Sequence, residues 1–152
     1  MTLPARTPEQ RKQDTLDRLQ RDVDCWVATA DAGKSEPYLV PLSFLWDGLT
    51  LLIATATSSP TARNLLASRT VRLGLGLTRD VVLIEGRVRS FPSSQITQEL
   101  GDAFAAKTGF DPRTLTSPYT YFTIIPQRIQ AWREENELKG REIMSNGVWT
   151  VL

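Results

Sequence analysis

The stretch Thr55-Ala-Thr-Ser-Ser-Pro-Thr-Ala-Arg-Asn-Leu-Leu66 gathers the residues best suited to hold an anion. Its hydroxyls, on Thr55, Thr57, Ser58, Ser59 and Thr61, sit where a β-type run over residues 49–57 gives way to a short helical pattern. Ser59 is a natural N-cap, and Pro60 fits the first helical position, where its missing N–H costs nothing. The unpaired N–H groups of a helix start carry partial positive charge and form a ready anion site. Arg63, in the first turn, opposes the helix dipole by about 0.3–1 kcal/mol, a cost that a bound anion offsets. The same residues also fit a capped surface helix with an ordinary solvated arginine.

No histidine occurs anywhere in the sequence. This removes Ser-His-Asp and Cys-His nucleophile systems, the imidazole acid or base, and every histidine metal motif. The single cysteine, Cys25, can form neither an intrachain disulfide nor a multi-cysteine zinc site. Such a chain can still catalyse if a cofactor carries the chemistry and the protein places it. It can equally be a binding module. Tyr38, Tyr119 and Tyr121 can move protons, but aromatic strand residues are usually packing.

Eighteen basic against seventeen acidic residues leave a net charge of +1, which gives no support to a nucleic-acid surface. The charge is uneven, because residues 50–79 hold Arg63, Arg69, Arg72 and Arg79 and no acid. The N-terminus has no apolar leader region and no run approaches a membrane span, so a cytoplasmic location with no membrane partner is expected. At 152 residues a single domain is expected, with a helix within 1–23, a core over 24–133 and a C-terminal segment over 134–152.

Several elements must position the Thr55–Leu66 corner. Thr7-Pro8-Glu9-Gln10 reads as an N-cap opening a helix to about Arg21, with Leu16, Leu19 and Val23 as its apolar stripe. Strands are expected over residues 25–30, 38–46, 49–57, 70–76 and 80–90. An Asp31–Ser35 turn and an Asp47-Gly48 type I′ hairpin join the first three. A helix is expected over 93–107, with Ile96, Leu100, Ala103 and Phe104 on one face. Residues 119–125 and 129–133 make one bent strand or two short ones around Pro126. Residues 134–141 form a charged loop, and 147–152 can add a terminal strand.

Consecutive strands with tight turns imply antiparallel pairing, and about six strands with peripheral helices predict a mainly β, closed or split barrel. Val40, Leu42, Phe44 and Trp46 alternate with Leu39, Pro41 and Leu45, so both faces of that strand need cover. The barrel core can cover one face, and a helix or a second subunit the other; with the same two-sided apolarity over 49–57, a homodimer is expected. Gly74 and Gly76 place side-chain-free positions on one face, read as tight barrel curvature.

The order Trp26-Val-Ala-Thr-Ala, Val40-Pro-Leu-Ser-Phe, Trp46-Asp-Gly, Thr61-Ala-Arg-Asn-Leu and Val71-Arg-Leu resembles the pyridoxamine 5'-phosphate oxidase-like, flavin-binding split-barrel superfamily. The resemblance spans residues 24–132. It implies a six-stranded antiparallel split β-barrel and a homodimer with two flavin sites at the subunit interface. By position, Thr55, Thr57, Ser58, Ser59, Arg63 and Asn64 would hold the cofactor phosphate. Val40, Pro41, Leu42, Ser43 and Phe44 would line its ring. Trp132 and Arg141 would reach the site from the other subunit, although packing and a solvated loop charge are their commoner roles. The chain is shorter than authentic pyridoxamine phosphate oxidases and lacks their Arg and His pattern for substrate phosphate. It looks more like the actinobacterial branch that uses the deazaflavin coenzyme F-420, and FMN is the alternative cofactor. The resemblance thus implies hydride transfer to or from a small organic substrate. A non-catalytic cofactor-binding or carrier protein of the same fold is the other reading.

Overall fold

The computed structural model describes residues 3–31 and 33–152. Residues 1, 2 and 32, the last inside the expected Asp31–Ser35 turn, lie outside the described residues. Helix α1 (Pro8–Arg21) starts as its sequence predicts: Thr7 Oγ1 accepts from the Gln10 N–H at 3.1 Å and Pro8 occupies the first turn. Leu19 is its buried apolar anchor, while Val23 lies beyond the helix end and is exposed.

Among the described residues nine antiparallel strands follow rather than six: β1 (Asp24–Asp31), β2 (Glu36–Ser43), β3 (Leu45–Trp46), β4 (Leu51–Ala56), β5 (Thr70–Leu77), β6 (Asp80–Pro92), β7 (Tyr119–Trp132), β8 (Glu142–Ser145) and β9 (Val148–Trp149). The main sheet runs β2-β1-β5-β6-β7-β4-β3, with β8 and β9 joined through β7. Helices α2 (Pro60–Ser68) and α3 (Gln98–Thr108) flank it. Helix α3 starts later than expected, behind a short 3-10 turn at Ser93–Gln95, because Thr97 caps it through the Leu100 N–H.

The strand count rises for identifiable reasons. The expected strand over 38–46 divides at Phe44, whose N–H donates to Val23 O at 2.8 Å and whose ring is fully buried. The Asp47-Gly48 turn is not type I′, since Gly48 has positive φ (99°) and Asp47 does not. Instead the Asp47 carboxylate accepts from the Leu49 and Thr50 N–H groups at 2.8 and 2.7 Å, and the loop widens to four residues. The type I′ geometry falls at Asn146-Gly147, with φ of 51° and 77°, and creates the β8–β9 hairpin.

Strand β7 is one long bent strand. Glu85 pairs with Arg128 and Gly86 with Pro126, so Gln127 is the extra residue of a bulge. Gly86 permits that bend, because a Cβ there would lie 2.6 Å from Ile124 Cγ2. Of the two glycines read as curvature, Gly74 has only ordinary neighbours. Gly76 has φ +83° and is closely approached by the Arg18 guanidinium.

The inner face of the curled sheet holds the main core, including Val27, Phe44, Ile53, Leu73, Ile84, Phe122 and Ile124, with Leu19 and Leu65 from the helices. A second cluster of Leu52, Ala54, Phe104 and Tyr121 lies between the other face of β4 and α3. Strand β4 is therefore buried on both faces by its own chain: of the two covers expected, a helix rather than a second subunit takes its outer face. Strand β2 differs, being exposed from Glu36 to Leu39 and again at Pro41.

Candidate functional site

The two ends of the sheet path bracket the site. Among the described residues, strand β2 pairs only with β1, and β4 carries β3 on its open side only at Leu51 and Leu52. Residues 53–56 of β4 thus present an edge with no strand partner on that side among the described residues. Such edges offer backbone donors and acceptors to a ligand. Between the two edges runs a groove of about 330 Å³, lined by Asp24, Pro41, Leu42, Ser43, Ala54, Thr55, Phe104, Phe110 and Tyr119. Its volume is at the lower end of the usual range for small-molecule sites, roughly 300–1,000 Å³.

The helix start adjoins the groove. Thr55 Oγ1, in the groove lining, lies 3.1 Å from Ser59 Oγ, the N-cap of α2. Ser59 Oγ also accepts from the Ala62 N–H at 3.1 Å, and Thr57 Oγ1 is 2.8 Å from Thr120 Oγ1. The hydroxyls are thus largely engaged with one another. The free donors at the corner are the Ser58 and Thr61 N–H groups, unpaired among the described residues, and Arg63. Arg63 Nη1 donates to Ser58 O at 2.6 Å, which draws the exposed guanidinium back over the helix start. Asn64 instead donates through Nδ2 to Thr29 Oγ1 at 3.1 Å and ties α2 to β1.

The ring-lining stretch divides. Pro41, Leu42 and Ser43 line the groove, whereas Val40 packs against the main core and Phe44 is fully buried in it. Trp132 and Arg141 join each other rather than the groove, with the Arg141 guanidinium 5.6 Å from the Trp132 ring centre. Tyr119 flanks the groove at one end of β7, and Trp132 lies thirteen residues along it, roughly 40 Å of extended strand. Within one chain these two residues do not reach the site.

Asp24, Ala54, Phe104, Phe110 and Tyr119 were not expected as lining. Phe104 and Tyr119 read from sequence as packing residues, and nothing local marks Asp24 or Phe110. Two of the four arginines over 50–79 are also neutralised in space. Arg72 pairs with Glu85 at 3.2 Å and Arg79 with Glu134 at 3.2 Å, partners that lie outside that stretch. Arg69 sits at the C-terminal cap of α2, away from the corner.

Acid–base groups near the groove are few. Burial, with Asp24 close by, pushes the Cys25 thiol up to about 12, so it is no nucleophile. Burial raises the Tyr121 phenol, assisted by Asp111 and opposed by Arg113. Burial lowers Lys107, against the pull of Asp22, while its Nζ donates to Asp22 O at 2.8 Å. An anion corner, two parted strand edges and a groove between them can seat a phosphorylated planar molecule, while offering little acid–base chemistry of their own.

This curled antiparallel sheet with parted edges is a split β-barrel. Residues 12–133 match the family model described as Pyridoxamine 5'-phosphate oxidase, and the chain belongs to that family. Solved structures at low identity share the fold. An F-420 reductase is 17% identical, covers 74% of this chain and 93% of its own, with a TM-score of 0.61. A FAD-binding protein from Mesorhizobium loti is 17% identical over 85% and 94% of the two chains, with a TM-score of 0.63. General Stress Protein 26 from Bacillus anthracis is 17% identical over 82% and 95%, with a TM-score of 0.59. No curated protein matches in sequence. Among the described residues no helix is long and apolar enough to cross a membrane.

Proposed function

We propose that this chain binds a phosphorylated flavin-type cofactor, coenzyme F-420 in preference to FMN, and uses it to transfer a hydride to or from a small organic substrate. The observation that carries this reading is the junction of the α2 start with the groove through Thr55 and Ser59. When bound, the cofactor supplies the hydride chemistry and the protein supplies placement. The Ser58 and Thr61 N–H groups and Arg63 hold the phosphate. Pro41, Leu42, Ser43 and Ala54 flank the ring, with Val40 and Phe44 as the packed support behind. No histidine serves the reaction, so its proton comes from solvent or from the cofactor. The choice of F-420 is supported by the fold shared with a protein named F-420 reductase.

A second copy of the chain completes the site in this reading. Trp26 pairs across β1 with Pro41 and Gly74, and Gly74 with Leu83, making an outward apolar row over central strands. Trp26 is 52% exposed and Leu83 38%, and a partner subunit covers them. Trp132 and Arg141 then arrive from the partner. The assembly works in the cytosol.

Absorbance titration of the purified protein with F-420 and with FMN tests the cofactor. Turnover with a panel of electron acceptors separates an oxidoreductase from a carrier. Failure of both cofactors to bind overturns the reading, and a monomer in sedimentation at micromolar concentration overturns the shared site.

A further inference from the structure

Asp24 is the one formally charged side chain among the residues lining the groove. It opens β1 opposite Ser43, whose Oγ donates to Asp24 Oδ1 at 2.6 Å. Oδ2 has no hydrogen-bond partner among the described residues. Lys107, three residues beyond Phe104 on α3, does not neutralise it. That ammonium donates to Asp22 O and sits 4.9 Å from the Phe44 ring centre, with no ion pair to Asp24. Two other polar groups of the lining are engaged, Ser43 Oγ with Asp24 and Thr55 Oγ1 with Ser59, while the neutral Tyr119 hydroxyl stays open among the described residues. The rest of the wall is apolar: Pro41, Leu42 and Ala54 on the strands, and the aromatic rings of Phe104, Phe110 and Tyr119, the last two centred 5.6 Å apart.

We propose that Asp24 makes the groove selective for flat rings that turn an N–H or cationic edge towards it, and against an anionic group at that edge. The open carboxylate oxygen accepts such an edge in a charge-assisted hydrogen bond. Aromatic faces attract a cation and contribute stacking area to any flat ring. An anionic group at that edge would face both the carboxylate and the negative ring faces, with no lining cation to receive it. The edge can belong to the cofactor's own ring or to a separate substrate, and the chemistry of recognition is the same. The inference rests on the groove as the ring site, yet it is measurable without any cofactor.

Benzamidine, benzamide and benzoate share one shape and differ in charge, so their binding to the cofactor-free protein is the test. Chemical-shift titration should rank them in that order, with benzamidine about tenfold tighter than benzoate. Asp24→Asn should collapse the ranking to within about twofold, the neutral amide giving an ordinary hydrogen bond. Ser43→Ala keeps the carboxylate, and should keep the ranking while weakening benzamidine. Phe110→Ala should weaken all three alike. Circular dichroism of each variant confirms the fold.

Repeating the titration with FMN present identifies the source of the edge. Displacement of benzamidine assigns it to the cofactor ring, and simultaneous binding assigns it to the substrate. If neither FMN nor F-420 binds while the charge ranking holds, the cofactor reading fails and this one stands. Benzoate binding as tightly as benzamidine, or a ranking that survives Asp24→Asn, overturns the proposal.

Discussion

Arg63 Nη1 donates to the carbonyl oxygen of Ser58 at 2.6 Å, so a side chain from within α2 folds back over that helix's own start. A lone arginine in that position opposes the helix dipole. Here it adds its charge to the Ser58 and Thr61 N–H groups, and the three together make the cationic corner. Its remaining N–H donors have no partner among the described residues. Loss of a charge-assisted hydrogen bond costs about 1.5–3 kcal/mol, so Arg63→Ala should weaken cofactor binding about tenfold or more. Isothermal titration of both proteins measures this, and unchanged affinity would make Arg63 an ordinary surface residue.

Ser59 serves two neighbours, accepting from the Ala62 N–H and meeting Thr55 Oγ1, each at 3.1 Å. Its removal uncaps α2 and releases a hydroxyl at the groove. Ser59→Ala should lower stability by about 1 kcal/mol, while Ser59→Asp should largely retain the cap. Urea denaturation of the two variants distinguishes a cap from a decorative serine.

Gly86 sets the bend of β7. An added Cβ would press on Ile124 Cγ2 at 2.6 Å and approach Ile125 O at 3.3 Å, both in the well-paired middle of the sheet. Gly86→Ala should therefore destabilise the protein by about 1–3 kcal/mol through overpacking. Gly74→Ala, with neighbours no nearer than 3.6 Å, should cost much less. A thermal-denaturation comparison in which Gly74→Ala is the more harmful change would reverse this account.

These contrasts show what was readable in the sequence. Thr7-Pro8 and Ser59-Pro60 are local capping signals, satisfied within three residues, and both helices begin where they predict. The antiparallel order was readable for the same reason, since tight turns leave few alternatives. Turn type was not. Asp47 spends its carboxylate on two backbone N–H groups and so has no need of positive φ, whereas Gly147 reads from sequence as the start of a terminal strand, so the Asn146-Gly147 hairpin is missed. Charge was misread because sequence proximity is not spatial proximity: Arg72 and Arg79 find Glu85 and Glu134 only after the sheet and a distant loop assemble. The groove was legible in part. Thr55 came from the hydroxyl-rich corner and Pro41 to Ser43 from the family resemblance, but Asp24 and Phe110 reach it through tertiary placement that no local spacing announces.

Glu137 anchors the opposite end of the molecule. It is buried and receives the Arg6 N–H at 2.7 Å, the Arg6 guanidinium at 2.8 Å and the Arg133 N–H at 2.8 Å. Burial works against its ionisation, but these donors outweigh it and hold the carboxyl at about 2. The folded pKa lies below the ordinary value of 4.5, so the unfolded chain binds the proton more readily. The stabilisation is complete above about pH 4.5 and is lost as pH falls through about 2. Glu137→Ala should cost about 3–5 kcal/mol, towards the lower end. Arg6 keeps Asp14 at 3.1 Å and Asp80 at 3.6 Å in that variant, which limits the loss. In acid titration the variant should show a flatter stability slope below pH 4.5, and an unchanged slope would remove Glu137 from the account.

The last prediction concerns which cofactor binds more tightly. F-420 and FMN share a tricyclic ring and a phosphate, so the groove and corner admit either. They differ past the phosphate, where the deazaflavin continues into an anionic tail. Arg72 and Arg79 are already paired with glutamates, and Arg69 caps the far end of α2, so within one chain Arg63 is the cation at the corner. Exposed charge pairs contribute roughly 0–1 kcal/mol each, and one such contact corresponds to about a fivefold preference at most. Screening shortens its reach to about 8 Å at physiological salt. F-420 should therefore bind a few-fold more tightly than FMN at low salt, the gap should close as salt rises, and Arg63→Ala should remove most of it. Parallel titrations at two ionic strengths measure all three. Tighter FMN binding at low salt would reverse the cofactor assignment and leave the corner standing, whereas a gap that persists in Arg63→Ala would move the tail contact to the partner subunit.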